Sequence, residues 1–283
     1  MTSPPDRRLT NADEDTVRGF GDEWTRFDHS SVDEASLAHV FEEYFSEFPW
    51  ATLPSHAEGA DLGCGSGRWA RFVAPRCGRL HCVDASLDAL AVARGNLARF
   101  SNCQFVHASV SDLPFADRSL DFAYSLGVLH HVPDTAAALR HAVGKLKPGA
   151  PFLVYLYYAF DNRSRGFRAV WRVSDVARRV VSRLPMRPRA LVADVLAGTV
   201  YLPLALTARA LETFDVEVNS LPLSYYRDKS FYMMRNDSLD RFGTRLEQRF
   251  TRAQITELLA SAGLRDIRFR DAAPFWCAVG IAR

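Results

Sequence analysis

Short apolar runs alternate with amphipathic segments from about residue 57 to about residue 160 of this 283-residue chain. A short apolar run bounded by turn residues predicts a buried strand, and apolar positions three and four apart predict a helix. The predicted strands are AEGADLG, RLHCVD, CQFVHA, LDFAYSLG and PFLVYLYY, and the predicted helices are RWARFVAPRC, SLDALAVARGNLARF and TAAALRHAVGKLK. Ser86 is the expected N-cap of the second helix, and the Pro148-Gly149 turn ends the third. This alternation predicts a parallel sheet with helices on both faces.

The same rhythm returns after residue 248. Thr251 is the expected N-cap of the helix TRAQITELLASAG, which Gly263 ends, and LRDIRFR and FWCAVGIA are two further strands. The prediction is therefore an α/β, Rossmann-like, doubly wound sheet of seven strands, built from residues 57–160 and 249–283.

Residues 161–248 break the rhythm and are predicted to be an inserted helical cap. Between residues 163 and 189 there are nine arginines and one acid, Asp175, and the stretch 195–206 is the apolar VLAGTVYLPLAL. That stretch is too short to span a membrane. The arginines could form a solvated face. Alternatively, they attract an anionic acceptor, an acidic carrier protein or, with residues 195–206, an anionic membrane surface.

The N-terminal part divides into two expected segments. Residues 1–16 are polar, without an apolar core of signal-peptide length, so they predict a disordered start and no secretory signal. Residues 17–56 predict a helical segment that places Phe20, Trp24 and Phe27 at helical spacing. This helix either packs on the main domain or forms part of a lid over a ligand.

The amino-acid composition narrows the possible class of protein only slightly. The chain is 48% hydrophobic and 24% charged with a net charge of +2, which is typical of a soluble enzyme and favours neither nucleic acid nor membrane by itself. The five cysteines form no CxxC pair. Scattered cysteines predict reduced thiols in the cytoplasm, without a disulfide framework or a metal site.

Residues 61–68, DLGCGSGR, follow the first predicted strand, at the sheet edge where doubly wound folds bind ligands. A dinucleotide fingerprint needs GxGxxG, and its third glycine position is here Arg68, which argues against a nicotinamide cofactor. Asp84 ends the second strand, where a carboxylate can accept both ribose hydroxyls. The glycines and this acid together predict a nucleoside site.

Four motifs, DLGCGSGR, VDAS, LPFADRSLDFAYSLGVLHHVPD and KLKPGAPFLV, resemble the class I S-adenosylmethionine-dependent methyltransferases. The nearest subgroup is the methyltransferase type 11 group, with ubiquinone and menaquinone biosynthesis methyltransferases and natural-product tailoring enzymes. The resemblance covers about residues 57–158 and, as the last helix and strand pair, 250–283. It implies a mostly parallel seven-stranded sheet in which FWCAVGIA is the antiparallel last strand.

The resemblance also implies a cofactor site for S-adenosyl-L-methionine, with S-adenosyl-L-homocysteine as product. The methionyl and sugar parts would meet Asp61, Gly63, Cys64, Gly65 and Leu126. The ribose would meet Asp84 and Ala85. The adenine would meet Ser109 and Val110. Many members carry Asp or Asn at the position of Ser109, and Asp112 could substitute for it. Base methylation of nucleic acid is disfavoured because SLGVLH stands where such enzymes carry [DN]PP[YF].

Candidate acceptor-side residues follow the fourth and fifth strands. His130 is the candidate general base and His131 a candidate substrate contact, although either could instead be structural. The other candidate contacts are Tyr157 and Tyr158 at a strand end, and Tyr226 and Tyr232 in SYYRDKSFYMM. These aromatic side chains predict a small apolar or aromatic acceptor.

The sequence thus predicts a cytoplasmic S-adenosylmethionine-dependent methyltransferase acting on the oxygen, nitrogen or carbon of a small molecule. Two alternatives stay open: a non-catalytic module that keeps the cofactor fold, and an NAD(P)-dependent oxidoreductase. A third alternative, a membrane-associated methyltransferase for a lipid or quinone, differs from the main prediction only in its substrate.

Overall fold

The computed structural model describes residues 9–28, 34–218 and 221–283 of the chain. The chain forms two compact units, Met1–Asp161 with Leu246–Arg283 (unit 1) and Asn162–Arg245 (unit 2). Unit 2 interrupts the sequence of unit 1, a few residues inside the insertion expected at 161–248.

Unit 1 is built on a seven-stranded sheet with the order β3-β2-β1-β4-β5-β7-β6. The strands are β1 Glu58–Leu62, β2 Arg79–Asp84, β3 Cys103–His107, β4 Phe122–Leu126, β5 Pro151–Tyr155, β6 Leu264–Phe269 and β7 Cys277–Ala282. The five strands β1 to β5 are mutually parallel, and β7 runs antiparallel to both of its neighbours. The predicted Rossmann-like sheet with an antiparallel last strand is confirmed.

The helices of unit 1 cover the sheet and the edge where β1 to β4 end. They are α1 Glu14–Arg26, α2 Glu34–Phe45, α3 Ala70–Val73, α4 Leu87–Asn96, α5 Thr135–Gly144 and α10 Arg252–Ser261. The Ser86 hydroxyl accepts from the Ala89 amide at the start of α4, and Thr251 forms a capping box with Gln254 at the start of α10. Both expected N-caps are confirmed. The apolar faces of the helices pack on both sides of the sheet in two clusters of buried side chains.

Two local predictions differ from the structure. The expected helix RWARFVAPRC is only the four-residue α3 followed by a 3-10 turn over Ala74–Arg76, because Pro75 lacks the amide that would continue it. Part of the expected disordered start is folded, since Asp13 caps α1 and its carboxylate accepts the Thr16 amide at 2.8 Å. Residues 1–8 lie outside the described residues.

Unit 2 contains α6 Arg165–Val181, α7 Met186–Leu196, α8 Leu202–Glu212 and α9 Phe231–Gly243. Both α6 and α7 pack against α9, and a small core of Ala197, Tyr201, Ala205, Met234 and Phe242 lies among the helices. A π-helical turn over Ala197–Tyr201 joins α7 to α8, so residues 186–212 form one helix.

By length and apolar composition alone, the joined helix Met186–Glu212 could cross a membrane, and only 28% of its most apolar window is buried. One side of it is fixed within unit 2. Asp194 pairs with Arg235 of α9 at 2.9 Å, and the Ser238 hydroxyl donates to the Ala193 carbonyl at 2.9 Å.

Candidate active site

The glycine loop after β1 turns in a way that side chains other than glycine disfavour. Gly63 and Gly65 have φ angles of +81° and +52°, in the left-handed region. A β-carbon on Gly63 would collide with Val128, and one on Gly65 would lie 2.8 Å from Cε2 of Trp24. The Gly63 and Cys64 amides donate to the Val83 carbonyl at 2.8 and 2.9 Å, which holds the loop against the end of β2.

Asp84 anchors this loop from the end of β2. Its carboxylate accepts the Gly65 amide at 2.9 Å and the Ser86 amide at 2.8 Å. Burial raises the pKa of Asp84, while these amide donors lower it. A carboxylate has about four acceptor positions. Asp84 therefore retains acceptor capacity for the two hydroxyls of a ribose, and Ala85 follows it with intermediate exposure.

Asp61 on β1 is a buried acid with an unused acceptor. Its Oδ2 atom is buried and accepts no hydrogen bond among the described residues. Burial raises the pKa of Asp61 to about 8, and the nearby charge of Asp84 also raises it, while Tyr124 and Arg68 lower it. A buried acceptor without a partner is costly, so Asp61 fits a site that receives a hydrogen-bond donor from a ligand.

The loop after β3 is tied to the N-terminal segment. Ser109 and Val110 are buried there, and the Ser109 hydroxyl donates to the Thr10 carbonyl at 2.5 Å. The side chain of Asn11 donates to the Ser111 hydroxyl at 2.9 Å and accepts the Asp134 amide at 2.8 Å. The Ser109 hydroxyl also accepts the Ser111 amide at 3.1 Å, and its contact with the adenine amino group stays a prediction.

Helix α1 crosses the same edge of the sheet as the loops described above. Its Gly21 lies against the Ser86 hydroxyl, at 2.7 Å from an ideal β-carbon, and its Trp24 lies against Gly65. The Phe20 ring lies 4.9 Å from the His131 ring. Helix α1 therefore packs on unit 1 at this edge of the sheet, and its role as a lid over a ligand stays a prediction.

His130 was expected to act as the base, and the structure argues against that role. The side chain is fully buried, and its Nδ1 atom accepts the Tyr157 amide at 3.4 Å. The proton of the neutral ring then lies on Nε2, which makes that atom a donor. Burial, with the neighbouring His131 and Arg249, holds the pKa of His130 well below its usual value. A neutral ring without a free lone pair is not a proton acceptor.

His131 has the opposite arrangement. Its Nδ1 atom lies 2.6 Å from the Leu246 carbonyl. Because a carbonyl oxygen only accepts, the proton lies on Nδ1, and Nε2 carries the lone pair. The structure therefore exchanges the expected roles of the two histidines.

Tyr157 joins the histidines, whereas Tyr158 does not. The Tyr157 ring stacks on His130 at 3.8 Å, and the Arg249 guanidinium lies 5.0 Å from its centre. Tyr158, which follows the end of β5, instead packs against Phe275 and Trp276. Sequence reasoning did not identify Arg249, which is distant in sequence.

Tyr226 and Tyr232 belong to unit 2. The Tyr226 hydroxyl donates to Asp237 Oδ2 at 2.9 Å, and its ring packs on Tyr201 in the core of that unit. This internal role replaces the expected contact of the Tyr226 hydroxyl with an acceptor. Tyr232 lies on α9, half-buried, and its contact with an acceptor stays a prediction.

In the part of the chain that the structure describes, no group of three or more His, Cys, Asp or Glu side chains could hold a metal ion. All five cysteines are free thiols, and Cys64 of the glycine loop is buried. Its hydrogen bond with Cys82 lowers its pKa, but burial and the nearby charges of Asp84 and Asp61 together raise the pKa to about 11, so Cys64 is a protonated thiol and not a nucleophile.

These residues fit S-adenosylmethionine. The glycine loop leaves room for close approach, Asp84 can accept ribose hydroxyls, and Asp61 offers a buried acceptor suited to the amino group of a methionyl chain. Leu126 ends β4 as a buried side chain beside this loop region.

Comparisons with known proteins agree with this geometry. Residues 60–154 match a family model described as a methyltransferase domain. The demethylmenaquinone methyltransferase of Bacillus licheniformis is 28% identical over 100 residues, which are 34% of this chain and 43% of that protein. The Staphylococcus aureus enzyme of the same name is 34% identical over 93 residues, 31% of this chain and 38% of that protein. The chain thus spans less than half the length of these relatives.

Among solved structures, Haemonchus contortus phosphoethanolamine N-methyltransferase 2 in complex with S-adenosyl-L-methionine aligns with a TM-score of 0.49 and 16% identity. The alignment covers 92% of this chain and 44% of that one. Similarity at this level defines no function.

The sheet topology and the loop after β1 define the class I S-adenosylmethionine-dependent methyltransferase fold. Residues 60–154 are similar to the methyltransferase domain of the matched family, and S-adenosylmethionine is the cofactor of this class. The expected recognition, fold and cofactor are confirmed, and the match disfavours the nicotinamide alternative.

Proposed function

We propose that this protein transfers the methyl group of S-adenosylmethionine to a small, apolar or aromatic acceptor, and that it acts in the cytoplasm. The observation that carries the proposal is that one matched domain, residues 60–154, contains the glycine loop, Asp84 and both histidines. Bound S-adenosylmethionine supplies an activated methyl group and leaves as S-adenosylhomocysteine.

The residues of the chain have separate tasks in this proposal. Asp84 holds the ribose, Asp61 accepts from the methionyl amino group, and α1 excludes water from the edge of the sheet. His131 Nε2 takes the proton that a hydroxyl or amine acceptor loses, and the Leu246 carbonyl stabilises the imidazolium through Nδ1. Neutral His130 supports Tyr157 by stacking, and the two rings give the acceptor side its aromatic character.

The first test is thermal unfolding with S-adenosylmethionine, S-adenosylhomocysteine or NADH, on the wild-type protein and on Asp84→Ala. At a ligand concentration about 100 times the dissociation constant, binding adds about 2.7 kcal/mol, which raises the melting temperature by roughly 5–10 °C. We expect a shift with the two adenosyl ligands only, lost in the variant. A shift with NADH alone would overturn the proposal, and no shift would favour a non-catalytic module.

The second test compares His131→Gln with His130→Gln. With labelled methyl groups and a panel of phenols, naphthols and aromatic amines, His131→Gln should lower kcat by about 100-fold or more at unchanged cofactor affinity. An equal loss in His130→Gln, with its folding and cofactor affinity intact, would contradict the assignment of the base.

A further inference from the structure

Helix α6 of unit 2 is amphipathic with its polar face turned inward. Asp175 and Arg178 are 7% and 6% exposed, whereas Val173, Val176 and Val180 on the opposite side of the helix are 73%, 62% and 62% exposed. Single exposed valines are common in soluble proteins. An uninterrupted exposed valine stripe opposite a buried ion pair is not, and it indicates a surface that is covered by something else.

Several bonds fix this orientation of α6. Arg178 Nε donates to Asp175 at 2.7 Å, and its Nη1 atom donates to the Thr244 and Arg245 carbonyls at 2.9 and 3.1 Å. Arg179 and Arg241 add two further cations at 3.0 and 3.9 Å from Asp175. Turning the valines inward would break these bonds and leave the Thr244 and Arg245 carbonyls without their donor, which is unfavourable. The exposure of the valines is therefore built into unit 2.

A row of arginines runs beside the valine stripe. Arg165, Arg172 and Arg179 recur every seven residues, so at about 100° per residue they lie along one side of α6, next to the valines. Arg165 and Arg172 form no ion pair among the described residues, while Arg179 shares Asp175. Long arginine side chains can keep their charge in a polar layer while their stems lie along apolar surface.

The net positive charge of the chain is concentrated on unit 2. Unit 2 contains 15 Lys and Arg against 8 Asp and Glu, whereas the rest of the chain contains 20 against 25. The small net charge of the whole protein conceals this separation. A basic unit with an exposed apolar stripe complements an anionic lipid surface both in charge and in polarity.

We propose that α6 docks unit 2 on an anionic membrane surface, with Val173, Val176 and Val180 entering the acyl boundary and Arg165 and Arg172 binding lipid headgroup phosphates. The inference does not rest on methyl transfer and stands or falls by lipid binding alone. A second copy of the chain could also cover an apolar stripe, but the arginine rows of the two copies would then approach each other.

The test is flotation of the purified full chain with vesicles of phosphatidylcholine, alone or with about one-third phosphatidylglycerol. We compare Val173→Gln/Val176→Gln/Val180→Gln and Arg165→Gln/Arg172→Gln with the wild type. Glutamine keeps helix propensity at these exposed positions, and the melting temperature checks that each variant folds. The matched control is Arg118→Gln/Arg140→Gln, which removes two exposed arginines of unit 1 that form no ion pair among the described residues.

We expect the wild-type protein to float with the anionic vesicles and to dissociate in about 1 M salt, where charges are screened within about 3 Å. The double arginine variant should bind roughly 30-fold more weakly, the valine variant roughly tenfold or more, and the control should bind as the wild type does.

Three results would overturn the proposal. One is no flotation at low salt, and another is unchanged flotation of both α6 variants, which would assign binding to another surface such as α8. The third is loss of a dimer in the valine variant, measured by light scattering, without a change in flotation. That result would make the stripe an interface between copies of the chain.

Discussion

The buried carboxyl of Asp61 gives unit 1 a pH dependence that one substitution should remove. Burial raises the pKa of Asp61 to about 8 from its ordinary value of 3.8. Between these two values the folded protein holds a proton that the unfolded chain releases. The stabilisation from this group is therefore fully present below the unfolded pKa and is lost as the pH rises through the folded pKa. Asp61→Asn keeps the shape and cannot titrate.

The magnitude follows from linkage. One extra proton in the folded state lowers the free energy of unfolding by about 1.4 kcal/mol per pH unit, so raising the pH from about 5 to about 7 should cost about 2.7 kcal/mol. His130 acts in the opposite direction, because its pKa is held well below the usual value and its stabilisation grows as the pH rises. Wild type and variant share His130, so their difference isolates Asp61.

The assay is urea unfolding at several pH values, followed by tryptophan fluorescence. Four of the five tryptophans lie in unit 1, at positions 24, 50, 69 and 276, so the signal reports mainly on this unit. We expect the stability of Asp61→Asn relative to the wild type to increase steadily between about pH 5 and pH 7.

Parallel pH curves for the wild type and Asp61→Asn would refute the reasoning, since they would show that Asp61 holds the same number of protons in both states. Asp88→Asn is the matched control, because Asp88 is an exposed carboxyl in the first turn of α4. Its curve should stay parallel to that of the wild type.

Three further perturbations test other contacts. Asp84→Asn places an amide NH2 group against a backbone N–H donor and should weaken the binding of S-adenosylmethionine by about 30-fold or more, measured by calorimetry, whereas Asp88→Asn should bind it as the wild type does. Gly65→Ala strains a left-handed residue by about 1–2 kcal/mol and displaces Trp24, so hydrogen exchange of α1 should accelerate; unchanged exchange would contradict the lid. Asp175→Asn removes the negative charge beside the buried Arg178 guanidinium and should destabilise unit 2 by about 3 kcal/mol, measured by hydrogen exchange of α6 and α9; exchange as slow as in the wild type would contradict the burial of this ion pair.

The sequence alone determined the parts of this protein that depend on local order. Apolar runs and caps predicted the seven strands, and spacing along the chain placed the glycine loop and Asp84 at the ends of adjacent strands. These features are predictable because a strand needs a short apolar run, a tight turn needs glycine, and a parallel sheet brings the ends of neighbouring strands together.

Only the tertiary structure decided the features that join distant segments. The bond from His131 to Leu246 spans 115 residues and assigns the lone pair to a different histidine from the one expected. The contacts of Asn11 and Trp24 with the loops after β1 and β3 likewise link segments that no local pattern connects. For α6 the sequence predicted an arginine-rich helical segment but not which face is buried, because the Thr244 and Arg245 carbonyls that bind Arg178 come from the far end of unit 2. Orientation of this kind depends on which distant donors and acceptors meet, and that is set by packing and not by periodicity.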